Sequence, residues 1–383
     1  MSKNLHEVME DIFTFHGAIL EKTDDNFIEF LAPEDFSRKM GIPEHGRLAF
    51  EYNLSGENAI YASYDSELFK FIGKFLSEND KFAAARYPFN ITSAEKLAKV
   101  IPEKTLLSNA VSRYETVERK TIGYLLVCFK YTALSDEKRE GLLTLLINEL
   151  NNSVTPFDND PDILLNQLKE ADRQEGAATN ISIETLEHAH AAASEIVKER
   201  LEDFIRSLER RLNRDVKRIY EYYETLKREI EKTIDKKGHS NETAETIETG
   251  KLLNKIEAIE MERKWKIQDI ISKYALNIKL EPVVIIRIMT ETPVFWIHIK
   301  RRLLSREFPF TYNTILRQFD NLPCESCFYP QGRYYVCDEK LHILCAKCFK
   351  KCPECNRQYC AACHRDGCPR CKTHKDKSIA RSK

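Results

Sequence analysis

The sequence predicts a multidomain α+β protein, and three observations support this class. Short alternating apolar runs fill the N-terminal part, an apolar stripe with helical spacing follows, and nearly all cysteines lie near the C-terminus. A chain of 383 residues is expected to form two or three domains. The predicted order is an α+β domain at 1–170, a linker at 171–185, an antiparallel coiled-coil hairpin at 186–276, a small β region at 277–320, a cysteine-rich module at 321–375 and a basic tail at 376–383.

The N-terminal domain combines strand and helix patterns. Apolar residues alternate over 13–20 and 27–31, on both sides of a Thr-Asp-Asp-Asn turn, which predicts a hairpin. Three long strand-like runs follow between residues 111 and 151, and the middle run is apolar enough for a central strand. The domain contains no glycine-rich phosphate loop and no dinucleotide-binding fingerprint, so it offers no catalytic motif.

The pattern becomes helical in the middle of the chain. Apolar residues recur over 197–234 at a mean spacing of about 3.7 residues, which is the period of an α-helix. A polar segment at 236–246 separates this stripe from a second one at 253–274. Two helices joined by a short polar turn fold back on each other. We therefore expect a coiled-coil hairpin whose alanine-rich start, 189–193, packs on another part of the protein.

A small β region follows the helices. Apolar runs at 278–289 and 294–300 predict a sheet, with a break at the Glu-Thr-Pro sequence 291–293. Basic side chains gather at its end, and two more lie in the cysteine-rich module, so we expect contacts with nucleic-acid phosphates or a protein partner. The candidate residues for this surface are His298, Lys300, Arg301, Arg302, Lys350 and Lys351.

The cysteine-rich module has the spacing of metal sites. Eleven of the twelve cysteines and one histidine form six pairs, and five of these are Cys-x2-Cys. A turn of this length directs two sulfurs at one metal ion, and two such pairs close a tetrahedral zinc site. Twelve ligands at four per ion predict about three zinc ions. The predicted ligands are Cys324, Cys327, Cys337, His342, Cys345, Cys348, Cys352, Cys355, Cys360, Cys363, Cys368 and Cys371.

A disulfide framework is the alternative explanation of these cysteines, and it requires an oxidising compartment. The first eleven residues contain no apolar run of a secretory signal. Eleven cysteines pair poorly as disulfides but suit metal sites that a histidine completes. No apolar run approaches the roughly 18 residues of a membrane helix. We therefore expect a soluble, cytoplasmic protein that has no membrane partner.

The order of the first eight ligands resembles a RING finger. The cross-braced RING layout implies one ion on Cys324, Cys327, Cys345 and Cys348 and a second on Cys337, His342, Cys352 and Cys355, with the last two pairs on a third. A ribbon layout instead joins Cys352 and Cys355 to Cys368 and Cys371, because both pairs have the form Cys-Pro-x-Cys. The spacing allows either arrangement.

Five motifs carry a second resemblance. They are Arg218-Ile-Tyr-Glu-Tyr-Tyr-Glu, Glu262-Arg-Lys-Trp-Lys, Thr311-Tyr-Asn-Thr-Ile-Leu-Arg-Gln-Phe, Leu322-Pro-Cys-Glu-Ser-Cys and Val336-Cys-Asp-Glu-Lys-Leu-His. With them, residues 214–344 resemble uncharacterised prokaryotic proteins linked to, or fused with, Swi/Snf-type helicase-like ATPases of the RapA kind. The ATPase motifs themselves are missing, so the resemblance implies an accessory protein with that ATPase as its partner.

We expect a non-enzymatic, zinc-binding coiled-coil adaptor that serves a nucleic-acid-acting helicase-like ATPase. The alternatives are a RING-type ubiquitin ligase and a stand-alone nucleic-acid-binding zinc protein. Residues 321–383 carry 13 Lys and Arg against 6 Asp and Glu, a net charge of +7. Thiolates around zinc offset much of this charge. Charge alone therefore does not decide whether nucleic acid is bound, and the sequence does not set the oligomeric state.

Overall fold

The computed structural model describes residues 4–24, 26–52, 59–78, 82–88, 94–170, 181–237, 243–330 and 332–371. Most of the predicted linker, the centre of the predicted polar turn between the two helices and the predicted basic tail lie outside these residues. The chain divides into two compact units. The first unit is Met1–Ala83 with Asn159–Asn166, and the second is Ala84–Asp158 with Gln167–Lys383.

The first unit is a four-stranded sheet with helices packed on it, in the strand order β1-β2-β3-β4. Its strands are β1 (Ile19–Asp24), β2 (Phe27–Leu31), β3 (His45–Ala49) and β4 (Ala59–Tyr61), and its helices are α1 (Leu5–Phe15), α2 (Glu34–Met40), α3 (Glu67–Glu78) and α6 (Pro161–Leu165). Strands β1 and β2 form the predicted hairpin. The buried side chains of β2, Ile28 and Phe30, share one core with α1, α2 and α3.

The predicted hairpin began too early, because Phe13 belongs to a helix. The side chain of Asn4 accepts a hydrogen bond from the backbone of Glu7, and the Glu7 carboxylate accepts one from the backbone of Asn4. This reciprocal capping starts α1. Met9 and Phe13 are four residues apart, so both lie on the buried face of the helix. The alternation around Phe13 is therefore one face of a helix and not a strand.

The second unit contains a large sheet with the strand order β12-β11-β10-β6-β7-β8, to which β5 and β9 are joined through β10. These strands are β5 (Phe82–Arg86), β6 (Val111–Leu134), β7 (Lys138–Asn148), β8 (Val154–Pro156), β9 (Lys169–Glu170), β10 (Asn277–Arg301), β11 (Leu304–Asn313) and β12 (Gln318–Phe319). Two short helices accompany them, α4 (Ala94–Ala98) and α5 (Ile101–Lys104). Mixed helices and strands in both units agree with the predicted α+β class.

Strands β6 and β10 are antiparallel neighbours along almost their whole length. The apolar runs of the sequence predicted both as divided strands, β10 with a break at residues 291–293, and placed β10 in a region of its own. In the structure, Thr292 pairs with Lys120 and Pro293 with Arg119, so neither strand is interrupted there. Threonine suits a strand, and Thr292 is buried between neighbours. Residues of the predicted N-terminal domain and of the predicted small β region therefore build one sheet. Pro282 lies at a register shift in β10, where a missing N–H is tolerated.

Three long helices follow one another in this unit, α7 (Ile183–Arg200), α8 (Glu202–Lys237) and α9 (Thr243–Lys273). Helix α7 ends at Arg200, and its C-cap residue Leu201 divides the long apolar stripe seen in the sequence. Its buried residues Ala189, Ala192 and Ala193 pack on the sheet against side chains of β6 and β7. Alanine allows the helix to lie close to the strands. No described helix has an apolar stretch long enough to cross a membrane.

Helices α8 and α9 contact each other in antiparallel order. Arg263 binds Glu224 at 2.5 Å and Lys227 binds Glu260 at 2.6 Å, whereas the Tyr274 hydroxyl donates to Asp215 at 2.8 Å. Residue numbers of the partners on α9, and of Tyr274 directly after it, therefore fall as the numbers on α8 rise. Leu253, which the sequence analysis placed in the apolar stripe of the second helix, is 52% exposed.

A buried polar network joins the centre of the sheet to the segment that enters the cysteine-rich module. The Asp320 carboxylate accepts hydrogen bonds from the side chains of Tyr124 (2.8 Å), Asn148 (2.9 Å), Thr311 (2.6 Å) and Asn313 (2.9 Å). Burial raises the pKa of Asp320, while these hydrogen bonds act in the opposite direction. All five side chains lie in the interior. The network fixes the chain four residues before Cys324, the first predicted zinc ligand. Leu322, between the two, is also buried.

Candidate metal centre

The twelve predicted ligands form three groups of four in the folded chain. Site 1 is Cys324, Cys327, Cys345 and Cys348; site 2 is Cys337, His342, Cys360 and Cys363; and site 3 is Cys352, Cys355, Cys368 and Cys371. Within each group the ligand atoms lie within 4.8 Å of one another. These groups can hold three zinc ions, which agrees with the predicted number.

The distances between ligand atoms fit tetrahedral zinc. With Zn–S bonds of about 2.3 Å, two sulfurs of such a site lie about 3.8 Å apart. The Sγ atoms of Cys327 and Cys345 are 3.7 Å apart, and those of Cys352 and Cys371 are also 3.7 Å apart. A disulfide would bring the two sulfurs to about 2.05 Å. All twelve cysteines are free thiols, so the disulfide explanation does not apply to this structure.

Site 1 is built on two Cys-x2-Cys turns beside the hairpin of β13 (Tyr334–Val336) and β14 (Ile343–Cys345). The backbone N–H of Cys345 donates to the sulfur of Cys324 at 3.2 Å. Such a bond favours a thiolate, the form that binds a metal ion. Cys324, Cys345 and Cys348 are buried, which makes site 1 the most enclosed of the three.

Site 2 has the only histidine among the ligands. The Nδ1 atom of His342 lies 3.7 Å from the sulfur of Cys360 and 3.3 Å from that of Cys363. These values are close to the roughly 3.6 Å expected between nitrogen and sulfur ligands of one zinc ion. The Cys360 thiol and the backbone N–H groups of residues 339, 340 and 342 lower the pKa of Cys337 to about 4. These hydrogen bonds favour the thiolate form of Cys337, which is the form that binds a metal ion.

Site 3 closes the C-terminal end of the module. The Sγ atoms of Cys355 and Cys368 lie 3.7 Å apart. The backbone N–H groups of Cys355 and Glu354 lower the pKa of Cys352 to about 7. Only Cys352 of this site is buried, and its three partners are half-buried. Enclosure of the ligands thus falls from site 1 to site 3.

The grouping of the ligands differs from the RING order. Site 1 matches the cross-braced assignment, but Cys337 and His342 join the fifth pair and not the fourth. Site 3 has the composition of the ribbon alternative. The hairpin of β15 (Phe349–Lys351) and β16 (Gln358–Cys360) explains the difference, because Phe349 pairs with Cys360 and so brings the fifth ligand pair back towards site 2.

The cysteine-rich module packs on the large sheet and shares a hydrophobic core with it. Its residues Tyr334, Val336 and Ile343 share a core with Phe295 and Phe310 of the sheet. Ion pairs reinforce the contact. The Arg306 guanidinium binds both oxygens of Glu325 at 3.0 and 2.8 Å, and Arg301 binds Asp338 at 2.6 Å.

The six residues of the predicted basic surface have different surroundings. Arg301 is 12% exposed and holds Asp338 and the backbone oxygen of Asn109, so its charge is engaged inside the protein. His298 lies 3.3 Å from Glu115. Arg302 is 74% exposed and 3.2 Å from Asp338. Lys300 is exposed at the end of β10, whereas Lys350 and Lys351 are exposed on β15.

Sequence reasoning missed the side chains that anchor site 1. Glu325 lies between the two cysteines of the first pair and also accepts a hydrogen bond from the backbone N–H of Ile343 at 2.5 Å. Phe328 and Tyr329 directly follow Cys327 and pack against the core shared by α7 and the sheet. Two aromatic residues after a Cys-x2-Cys turn are a visible signal, but their partner on α7 is more than a hundred residues away.

Comparisons with known proteins assign no family to this chain. No family model matches the chain, and no curated protein matches it. The chemistry of the ligand groups is therefore the strongest guide to function. Each group supplies four side chains, which is the ligand number of a structural zinc ion, and leaves no position open for water or substrate.

Proposed function

We propose that this chain is a non-enzymatic adaptor whose zinc ions are structural. The observation that carries the proposal is the closure of all three sites by four protein ligands. A catalytic zinc ion normally has three protein ligands and one exchangeable position. Zinc here would stabilise a module of 48 residues, 324–371, in which cysteines supply much of the buried surface. Zinc thiolates of this kind suit the reducing cytoplasm.

The helices α8 and α9 are the second part of the adaptor in this proposal. We propose that they pack as an antiparallel coiled-coil hairpin. The ion pairs Arg263–Glu224 and Lys227–Glu260 support this, because both join the helices across their contact and one of them is largely withdrawn from solvent. An arm of 36 residues is about 54 Å long, so it can carry a binding surface away from the sheet.

The partner in this proposal is a helicase-like ATPase that acts on nucleic acid. The resemblance carried by residues 214–344 supports this partner. The chain has no nucleotide-binding motif of its own, so the ATPase activity would belong to the partner. Lys300, Arg302, Lys350 and Lys351 are the residues of the predicted basic surface that remain exposed. They are the candidates for direct phosphate contact, whereas Arg301 stabilises the module from inside.

The ubiquitin ligase alternative loses support from the ligand grouping. A RING finger places its fourth ligand pair with the second, but here Cys352 and Cys355 are grouped with Cys368 and Cys371. The stand-alone nucleic-acid-binding alternative keeps the support of exposed Lys350 and Lys351. In sequence these lysines lie between Cys348 of site 1 and Cys352 of site 3, whose thiolates add negative charge that weakens the attraction of phosphates.

We expect the purified protein to hydrolyse no ATP, to transfer no ubiquitin and to bind DNA or RNA in a salt-sensitive way. Titrations at two salt concentrations should lose about two units of log–log slope when Lys350 and Lys351 are both replaced by Gln, because each phosphate contact contributes about one. The matched control replaces Lys217 and Lys232 of α8, which are exposed and remote from the metal sites in sequence.

The outcomes of these assays distinguish the adaptor from the ubiquitin ligase and from the stand-alone nucleic-acid-binding protein. Turnover of ATP or transfer of ubiquitin by the zinc-loaded chain contradicts the adaptor function. Equal loss of slope in both double variants contradicts a phosphate-contacting role of β15. Absence of nucleic-acid binding restricts the adaptor to a protein–protein bridge, and copurification with the helicase-like ATPase then becomes the decisive assay.

A further inference from the structure

Phe328 has a backbone conformation that its side chain disfavours. Its φ angle is +57°, in the left-handed region that glycine and asparagine tolerate and a bulky residue rarely adopts. The same position after the turn of Cys352 and Cys355 is Asn356, with φ +60°. In both turns the backbone N–H donates to the carbonyl of the first cysteine, at 2.8 Å for Phe328 and 2.9 Å for Asn356. The turn geometry therefore requires the left-handed residue, but it does not require a phenylalanine.

The phenyl ring of Phe328 contacts helix α7. It stacks on the imidazole of His188, with ring centres 3.7 Å apart and planes inclined by 19°. The next residue, Tyr329, donates its hydroxyl hydrogen bond to the Glu199 carboxylate near the other end of α7. Lys347, between two ligands of site 1, lies over the Tyr329 ring at 5.4 Å. Two adjacent residues thus hold α7 at two points along its length.

We propose that Phe328 and Tyr329 form a latch through which zinc at site 1 fixes α7 on the sheet. The inference rests on the proposed structural zinc, because the metal ion holds the turn that keeps Phe328 left-handed. Without zinc the turn is free to relax to the ordinary right-handed or extended backbone, and the ring then leaves His188. Since α7 continues into α8 after Leu201, the occupancy of site 1 also sets how firmly the base of the helical arm is held.

Coupling of this kind is reciprocal. If zinc at site 1 favours docking of α7, then docking of α7 favours zinc at site 1 by the same factor. Couplings between two sites in one protein are typically between about 5-fold and 150-fold. Because the contact consists of one stacked ring pair, one hydrogen bond and the apolar packing of the same two side chains, we expect about tenfold.

The substitution Phe328→Gly tests the latch in the full zinc-loaded chain. Glycine accepts the left-handed backbone, so the turn and its zinc ion should persist while the ring is lost. Hydrogen exchange of the α7 amides should become about tenfold faster, and those of β11 should not change. The matched control is Asn356→Gly, which makes the same backbone change beside site 3 and should leave α7 unaffected.

A second measurement follows the metal ion. Zinc should be released to a chelator about tenfold faster from one of the three sites in Phe328→Gly. Removal of zinc from the unaltered protein should raise α7 exchange at least to the level of the variant, because the contact of Tyr329 with Glu199 is then released as well. Unchanged α7 exchange in Phe328→Gly, or equal effects of both glycine substitutions, overturns the latch. A variant that binds one ion fewer at equilibrium also overturns it, because Phe328 then belongs to the zinc site itself. A chain that binds no zinc overturns the proposed function instead.

Discussion

Replacing Cys337 and His342 with Ser and Ala should release more than the one zinc ion that these residues bind. The ligand pairs of site 2 alternate along the chain with those of sites 1 and 3, an arrangement that we call interlocked. Its first ligand pair lies between the two pairs of site 1, and its second pair lies between the two pairs of site 3. Loss of site 2 therefore frees the loops that bring the ligands of sites 1 and 3 together. A structural zinc ion contributes on the order of 10 kcal/mol of folding free energy, so the effect should be large.

The matched control removes site 3, by replacing Cys368 and Cys371 with Ser. No ligand of another site follows these residues in the described chain, and only the enclosed pair Cys360 and Cys363 depends on their loop. The β15–β16 hairpin still holds Cys360 near site 2. Zinc content by elemental analysis should fall by one ion in this control and by two or more in the site 2 variant. A loss of one ion in both variants would contradict the interlocked arrangement.

Asp320→Ala should destabilise the second unit by about 3 kcal/mol. The substitution removes an acceptor shared by four buried donors, and an unsatisfied buried polar group costs about 1–3 kcal/mol. The Asn148 amide keeps the Thr311 hydroxyl as a second acceptor at 2.8 Å. Hydroxyl groups of Tyr124 and Thr311 can rotate towards other acceptors, so the costs do not simply add. The side chains of Asn148 and Asn313 have less freedom, because each also accepts a backbone hydrogen bond through its oxygen.

Denaturant unfolding of the zinc-loaded protein measures this effect. The control is Asp158→Ala, which removes an exposed carboxylate whose ion pair with Arg200 is 3.6 Å long. Exposed pairs contribute about 0–1 kcal/mol, so the control should stay close to the unaltered protein. If Asp320→Ala were equally mild, the buried network would not anchor the sheet as described. Zinc content should be recorded as well, since the network ends just before Cys324.

The zinc ligands could be read from the sequence because metal chemistry is local. A Cys-x2-Cys turn is complete within four residues, and its repetition identified ten of the twelve ligands, with the Cys337-x4-His342 pair supplying the other two. The grouping could not be read in the same way. It depends on the pairing of Phe349 with Cys360, and a strand of three residues leaves almost no trace in the apolar pattern. Both the RING and the ribbon order therefore remained open until the fold was known.

The large sheet illustrates a different limit. The apolar runs of β6 and β10 were visible, but their pairing joins residues on opposite sides of the helical segment. Polar residues and a proline at 291–293 suggested an end, yet antiparallel neighbours satisfy their backbone groups and carry the strand through. At helix α1 a strand was predicted where the chain is helical. Around Phe13, a short alternation of apolar and polar residues cannot be distinguished from the apolar face of a helix. Local patterns identified the elements more reliably than their partners.

The alanine-rich start of the helical segment was interpreted more successfully. The alanines among residues 189–193 have little apolar surface, and Ala189, Ala192 and Ala193 pack on β6 and β7. The boundary at Leu201 was not visible, since the apolar spacing continues through it. What determines the boundary is the end of the sheet contact, which is a tertiary property.

The most direct test of the account is the zinc and thiol content of the purified chain under native, non-reducing conditions. The central claim is that eleven cysteines and one histidine hold three zinc ions in closed sites. Elemental analysis should give three zinc ions per chain, and alkylation should reach the eleven clustered thiols only after chelation. Fewer than two zinc ions per chain, or disulfides among these cysteines, would contradict the claim.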